Sequence, residues 1–86
     1  MLADMLILEE LRRAPAHGYS VRRALERSGT RLAPSTVYST LRRLERDGIV
    51  KGRWQEGRRR RVYRITRLGD EVRRLRRLEV QSIGRG

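Results

Sequence analysis

Apolar residues recur at helical spacing in three segments of the first half of the chain. In residues 2–13 they cover a wide arc, which indicates a helix that is covered on more than one side. A second helix is predicted over residues 18–27, and a third between Pro34 and the glycine stop at Asp47-Gly48. The apolar positions of these two helices are Val21, Ala24, Leu25, Val37, Leu41 and Leu44.

The second half changes from helical to strand-like patterning. Residues 49–54 (IVKGRW) and 61–66 (RVYRIT) are predicted strands, joined by a turn that contains four consecutive arginines. Thr66 can cap a last helix through about Ile83, and the tail GRG is expected to fray. Two helices joined by a turn and followed by a basic hairpin predict a winged helix-turn-helix, mainly α with a two-stranded wing and a C-terminal helix.

The third helix has two opposite faces. With Val37 set at zero and about 100° per residue, Leu41 and Leu44 lie close to it and form a narrow apolar stripe. Hydroxyls and arginines occupy the opposite pole and its flanks: Ser35, Ser39, Arg42 and Arg46, with Thr36 and Arg43 on one side and Tyr38 and Glu45 on the other. This face suits entry into a DNA major groove by the helix N-terminus, although an ordinary solvated face needs polar residues too.

Charge favours the DNA interpretation. The chain has 22 basic and 10 acidic residues, a net charge of +12. Eleven basic and three acidic residues lie between Arg42 and Arg67, so a polyanion is expected to meet the middle of the chain. The run Arg58 to Arg61 exceeds what solubility requires and can straddle a duplex backbone or enter a minor groove.

Aromatic residues leave alternatives open. Strand alternation places Tyr63 in the core more readily than at a phosphate. Trp54 can anchor the hairpin, lie in an interface or stack on a planar ligand. His17 and Tyr19 stand at the start of the second helix, as a turn residue and a half-buried ring or as phosphate contacts.

A chain of 86 residues buries only about 60% of its unfolded surface, so a partner subunit would add needed stability. The last helix has an apolar edge, which could pack on its own domain or on a second copy of the chain. The first helix is apolar over a wider arc than packing on one side requires, which favours the second copy. We favour a homodimer on an inverted-repeat operator. The expected interface residues are Leu2, Met5, Leu68, Val72, Leu75 and Leu78.

Other classes have weak support. The chain has no cysteine and one histidine, so no metal site or cofactor is expected, and no constellation of residues indicates an enzyme. The N-terminal apolar segment is too short to span a bilayer and lacks the flanks of a signal peptide, which predicts a cytoplasmic protein. General nucleic-acid or nucleoid coating remains the alternative to specific operator binding, because charge alone does not separate them.

The segments LILEELRRAPAHGYSVRRALE, LAPSTVYSTLRRLERDGIVKGRW and RRRRVYRITRLGDEV resemble the DNA-binding domain of the PadR family of bacterial transcriptional regulators, over about residues 5–72. The resemblance implies a winged helix whose third helix reads the major groove, and dimers joined mainly by the C-terminal helix. It also implies regulation by a small molecule, since some members bind planar or phenolic effectors. In this chain such an effector would bind in a cavity at the dimer interface. The candidate DNA contacts are Tyr19, Ser35, Thr36, Tyr38, Ser39, Arg42, Arg43, Arg58, Arg59, Arg60 and Arg61.

Three features depart from the family pattern. Ser39 stands where proline is common, and Arg67-Leu68 replaces a common Pro-Ala. Many relatives also have a longer C-terminal domain. We therefore divide the chain into a DNA-binding domain, residues 1–66, and a dimerisation helix with its tail, residues 67–86.

Overall fold

A computed structural model describes the backbone of residues 2–57 and 60–85, and the side chains of residues 3–57 and 60–79. The elements are α1 (Leu2–Arg13), β1 (Ala16–His17), α2 (Gly18–Arg27), α3 (Pro34–Arg46), β2 (Val50–Trp54), β3 (Arg61–Ile65) and α4 (Arg67–Arg85). The three strands form one antiparallel sheet in the order β1-β3-β2. This is the predicted winged helix-turn-helix.

The structure differs from the prediction in two details. The sheet has a third strand, β1, which pairs Ala16 with Tyr63 and His17 with Val62. Two residues are too few to show a strand period, so the sequence pattern could not identify this strand. The described backbone of the last helix also continues to Arg85, two residues beyond the end predicted near Ile83, and fraying of the tail stays a prediction.

The core lies where the first three helices meet the sheet. Each helix contributes its apolar stripe, and Tyr63 is buried, as strand alternation predicted. The buried apolar residues are Ile7, Leu8, Leu11, Val21, Leu25, Val37, Leu41, Leu44, Val50 and Tyr63. Burying Val37, Leu41 and Leu44 fixes the rotation of α3, and its opposite pole is left on the surface.

Helix α3 ends as its sequence predicts. Gly48 adopts a φ of 76°, a left-handed conformation that favours glycine. The N–H of Gly48 donates to the carbonyl of Glu45 at 3.0 Å, and the N–H of Ile49 donates to that of Leu44 at 2.9 Å. This pair of bonds forms a Schellman motif, which turns the chain directly into β2.

Thr66 caps α4, as predicted, and also fastens it to the end of α3. Its hydroxyl oxygen accepts a hydrogen bond from the N–H of Gly69 at 3.0 Å and lies 2.7 Å from the carbonyl oxygen of Gly48. A Cβ atom on Gly69 would lie 2.0 Å from the carbonyl oxygen of Ile49. The start of α4 therefore touches backbone, and only glycine fits there.

Helix α4 has a polar side toward its own domain. Arg73 is 7% exposed, and its guanidinium donates to Glu9 at 2.9 Å and to Asp70 at 3.1 Å. Leu68, Leu75 and Leu78 are exposed on the other side. Across the described part of the chain, none of the helices has the length and apolar character to cross a membrane.

Candidate nucleic-acid interface

The exposed pole of α3 brings together the polar residues that its periodicity predicts. Ser35, Thr36, Ser39 and Arg42 are all exposed. The Ser39 hydroxyl donates to the carbonyl of Thr36 at 3.2 Å, so its oxygen can still accept a hydrogen bond. Together they present two serines, a threonine and an arginine on the first three turns of one helix.

The N-terminus of α3 has no side-chain cap. Ala33 occupies the cap position and Pro34 the first turn, so the N–H of Ser35 lacks a cap partner. Such an end carries a partial positive charge and attracts anions. It adds to the positive potential of Arg42 on the same surface.

The side chain of Tyr38 lies beside the exposed pole of α3 and packs on the start of α2. A Cβ atom on Gly18 would lie 2.4 Å from Cε1 of Tyr38, so the ring rests directly on the glycine backbone. The pairing explains why the chain has glycine at this position. Tyr38 remains 37% exposed, which leaves part of the ring available to a ligand.

Tyr19 is on the surface with two arginines that sequence reasoning missed. Its hydroxyl accepts a hydrogen bond from Arg23 Nη1 at 3.0 Å. The guanidiniums of Arg22 and Arg23 lie 5.4 Å and 5.8 Å from the centre of the ring. Their spacing of three and four residues from Tyr19 places them on one helix face and could have identified them.

Arg43 has a partner inside the protein, although 42% of its side chain is exposed. Its guanidinium donates to the buried carboxylate of Asp4 on α1 at 2.6 Å. Burial acts to raise the pKa of Asp4, but the Arg43 hydrogen bond and nearby positive charge outweigh it and keep that pKa below its ordinary value. Arg76 of α4 lies 3.8 Å from the same carboxylate. Asp4 thus links α3 to α4.

Arg61 also has a partner inside the protein. It lies opposite Trp54 across the two strands, on the sheet face that carries Tyr63. Its guanidinium forms an ion pair with Glu45 of α3, which raises the pKa of Arg61, and donates to the Gly52 carbonyl at 3.1 Å. A Cβ on Gly52 would lie 2.6 Å from Arg61 Nε. Arg61 therefore ties the wing to α3.

The rest of the arginine run is only partly described. Arg60 is exposed, and its carbonyl accepts the N–H of Gln55 at 2.8 Å, which closes the base of the turn. The predictions for Arg58 and Arg59 fall outside the described residues. His17 is half-buried beside the hairpin, where its Nδ1 lies 3.4 Å from the carbonyl oxygen of Arg61.

The outer face of the wing carries basic residues that were not among the candidates. Lys51 and Arg64 lie opposite each other in the register, and Arg53 follows on the same face. All three are exposed. Like charges placed opposite one another destabilise a sheet, so this arrangement favours a polyanion close by. Strand alternation could have identified them.

A groove separates α3 from the wing. Its volume is about 890 Å³, and Tyr19, Tyr38 and Arg42 form one side of it, with Trp54 and Arg60 on the other. Of the polar pole of α3, Arg42 lines the groove. The candidate contacts Tyr19, Tyr38, Arg42 and Arg60 therefore belong to one continuous surface.

The predicted dimer residues lie on α1 and α4. Leu68, Leu75 and Leu78 are exposed, while Met5 and Val72 are half-buried. The side chain of Leu2 lies outside the described residues. Leu75 is 62% exposed and stands in the middle of the α4 edge.

Comparison with known proteins gives the family. The model of the PadR-like family of transcriptional regulators matches residues 7–79. A PadR family regulator from Eggerthella lenta is 33% identical, with a TM-score of 0.90 over 96% of this chain and 75% of its own. A transcriptional regulator from Clostridium thermocellum is 27% identical, with a TM-score of 0.90 over 96% of this chain and 84% of its own. Among curated proteins, none matches.

The fold also matches a structure that contains DNA. The PadR protein of Bacillus subtilis, solved in complex with operator DNA, is 20% identical, with a TM-score of 0.77 over 86% of this chain and 45% of its own. At this identity the likeness concerns the fold alone. The family model, in contrast, covers most of the chain, so the chain belongs to the PadR-like family of transcriptional regulators.

Proposed function

We propose that the chain binds a specific DNA operator as a homodimer and represses transcription by occupying it. The observation that carries this proposal is the exposed pole of α3, where Ser35, Ser39 and Arg42 stand beside a groove and a basic wing. Short hydroxyl side chains allow close approach to base edges, and a guanidinium can bond to guanine in two places. The operator complex of the B. subtilis relative, which shares the fold, supports DNA as the partner.

The predicted DNA contacts divide into two groups. Ser35, Thr36, Ser39 and Arg42 are proposed to face the major groove, and Tyr19, Tyr38 and Arg58 to Arg60 to contact the backbone beside it. Arg43 and Arg61 are proposed to act indirectly, because each is held by a carboxylate of the protein, Asp4 and Glu45 respectively. They position α3 and the wing.

Dimerisation is supported by the way α4 is oriented, with a charged residue toward its own domain and its apolar edge toward solvent. The helix pairs Arg73 with Glu9 of its own domain and leaves Leu68, Leu75 and Leu78 in water. Folding back on its own domain, the alternative for this apolar edge, would bury the leucines and expose the arginine. A second copy can cover the edge, and two-fold symmetry would then present two α3 helices to an inverted repeat. A planar or phenolic effector at that interface stays a prediction.

Arg42→Ala tests the proposed base contact. We expect binding to a specific operator to weaken by about 1–3 kcal/mol, because a bidentate guanine contact is lost. The thermal midpoint should stay close to that of the unaltered protein, since Arg42 is exposed. Binding is measured by fluorescence anisotropy on operator and on random duplex, with Arg13→Ala on α1 as the control. Equal weakening on both duplexes would make Arg42 a phosphate contact.

The wing is tested by replacing Arg58, Arg59 and Arg60 with alanine while Arg61 is kept. We expect weaker binding to every duplex and a salt dependence reduced by about one slope unit for each lost phosphate contact. Arg61→Ala is the matched comparison: it frees Glu45 and should loosen the wing, which lowers the thermal midpoint as well as affinity. An unchanged salt slope in the triple variant would mean that the run points away from DNA.

A second candidate function is coating of nucleic acid without sequence preference. The net charge of +12 favours it, because the phosphate backbone alone can supply binding of that kind. It would make no use of the ordered hydroxyl face of α3. The affinity ratio between one operator and random duplex separates the two functions.

A further inference from the structure

A second groove lies between the end of α1 and the start of α4, and arginines form most of its walls. Its volume is about 730 Å³. Asp70 is the one carboxylate among the described residues that line it, and Arg73 donates to that carboxylate. Arg73 is buried, and four further arginines line the groove and are exposed: Arg12, Arg13, Arg67 and Arg74. We call this surface the basic groove.

Most of the positive charge in the basic groove has no partner within the chain. Among the residues that the structure describes, Arg12, Arg13 and Arg74 form neither an ion pair nor a side-chain hydrogen bond. Arg67 lies 4.0 Å from Glu71, and both of these side chains are more than half exposed. Guanidiniums on one concave surface repel one another unless a polyanion lies close to them. The surface is therefore suited to a polyanionic ligand.

Helix stability explains only part of this arrangement. Arg12 and Arg13 lie in the last turn of α1, where the helix dipole favours a cation. Arg67 is the first residue of α4, where the dipole disfavours one, and its exposed pair with Glu71 is of a weak kind. Arg74 lies beyond the first turn of α4, where the dipole has little effect. A ligand in the basic groove accounts for all four arginines.

The lining of the basic groove indicates a phosphate backbone as that ligand. Of the residues that line it in the described part of the chain, only Ile65 is apolar and none is aromatic. Protein partners are anchored mainly by aromatic and apolar side chains, and single-stranded nucleic acids stack on rings. Duplex DNA needs neither feature, because cations alone can bind its phosphates. The backbone of a duplex therefore fits this surface best.

The basic groove lies away from the proposed DNA surface. Thr66, which lines it, is 2.7 Å from the carbonyl oxygen of Gly48, and Gly48 is about 20 Å along the helix direction from Ser35. Strand β3 likewise runs about 13 Å from Arg61, beside the wing turn, to Ile65 at the basic groove. None of the described residues lines both grooves. Because DNA is stiff over the length of an operator, a duplex on α3 leaves the basic groove open.

We propose that the basic groove binds the phosphate backbone of a second DNA duplex while α3 holds the first, so that the protein bridges two duplexes. Arg12 and Arg13 on α1, with Arg67 and Arg74 on α4, contact phosphates from the two sides of the groove. Phosphate contacts carry no sequence information, so the second duplex can have any sequence. Bridging rests on the proposed function of α3, whereas the second binding surface does not.

A two-duplex capture assay tests the proposal. Biotinylated duplex that the protein has enriched from a random pool is fixed to beads, saturated with the unaltered protein and washed. A fluorescent random duplex is then added. We expect the beads to retain the second duplex, and we expect retention to fall as the salt concentration rises. Beads without protein give the background.

The double variant Arg12→Gln/Arg74→Gln should bind the second duplex at least about tenfold more weakly. The salt slope of capture should fall by about two units, one for each lost phosphate contact. Arg12→Lys/Arg74→Lys keeps both charges and should retain most of the capture. The matched pair Lys51→Gln/Arg64→Gln removes equal charge from the outer face of the wing and should leave capture in place. All of these side chains are exposed, so the thermal midpoints should stay close to that of the unaltered protein.

Operator binding in the first step is the internal control. When duplex is limiting, the α3 surface is filled first, so substitutions in the basic groove, Arg13→Ala included, should leave operator affinity unchanged. If Arg12→Gln/Arg74→Gln also loses the operator, one duplex covers both surfaces and the proposal is wrong.

Three further outcomes would overturn the proposal: no capture by the unaltered protein, capture that survives Arg12→Gln/Arg74→Gln, or capture that is lost only with Lys51→Gln/Arg64→Gln. The last result would place the second duplex on the wing.

Failure of the proposed function gives a different result, in which enriched and random duplexes hold the protein equally on the beads. The basic groove is then tested with random duplex alone, by anisotropy. If Arg12→Gln/Arg74→Gln binds random duplex more weakly than Lys51→Gln/Arg64→Gln does, the groove remains a DNA-binding surface. Equal binding by the two variants would reject it.

Discussion

Replacing Gly69 with alanine should destabilise the protein by about 3 kcal/mol or more, as expected for a severe overpacking change. Helix propensity alone predicts the opposite, a gain of about 1 kcal/mol for alanine over glycine inside a helix. The steric contact decides whether the substitution lowers or raises the stability of the protein. The new Cβ would lie 2.0 Å from the carbonyl oxygen of Ile49, and that oxygen already accepts the N–H of Thr66 at 3.1 Å. Both backbone segments would have to move.

The thermal midpoint, measured at fixed protein concentration, should fall by about 12–24 °C for a chain of this size. Glu71→Ala is the control, because it removes an exposed side chain two residues further along α4. It should leave the midpoint within a few degrees of the unaltered protein. A Gly69→Ala variant that is as stable as the original would show that α4 does not dock on the α3–β2 junction as described.

Leu75→Arg should convert the protein to monomers and remove most of its operator affinity. Each buried leucine contributes about 1.5–3 kcal/mol, and a two-fold interface buries Leu75 twice. Placing arginine there removes that term and brings two positive charges together. A loss of about 3 kcal/mol or more corresponds to a dimer weakened by at least about 100-fold. The two half-sites would then be bound by separate chains.

The conservative variant Leu75→Met separates interface loss from unfolding, since methionine keeps an apolar side chain of similar volume. It should remain dimeric by light scattering and bind the operator normally. The Leu75→Arg monomer should keep its helical circular dichroism, because Leu75 is 62% exposed within the chain. An unaltered protein that is monomeric at micromolar concentration and still binds one half-site would contradict the dimer proposal.

The helices and their ends could be predicted from the sequence because their causes are local. The periodic stripe of Val37, Leu41 and Leu44 and the stop at Gly48 lie within a few residues of what they determine. Thr66 could be recognised as a cap for the same reason. Burial of Tyr63 followed from strand alternation.

The roles of Arg43 and Arg61 depend on distant partners and were harder to predict. Asp4 and Arg43 are 39 residues apart, and no local pattern relates them. Glu45 and Arg61 meet only because the hairpin returns to α3. Strand alternation places Arg61 on the same face as the buried Tyr63, so the sequence could have predicted that Arg61 contacts the protein.

Strand β1 and the groove also required the three-dimensional structure. Two residues, Ala16–His17, cannot show a strand period, and they become a strand only by pairing with β3. Tyr19 and Trp54 are far apart in the sequence and share a groove because α2 and the wing flank α3. Their concentration beside Arg42 is visible only in the folded chain.

Sequence-specific binding by a dimer is the central claim, and one selection experiment tests it most directly. The unaltered protein is used to enrich duplexes from a random pool, and the affinity for the enriched duplex is compared with that for random duplex at one salt concentration. We expect an inverted repeat, two chains per duplex and an affinity ratio of at least about 10³. Enrichment of no common sequence, with a ratio below about ten, would contradict the claim and favour nucleic-acid coating.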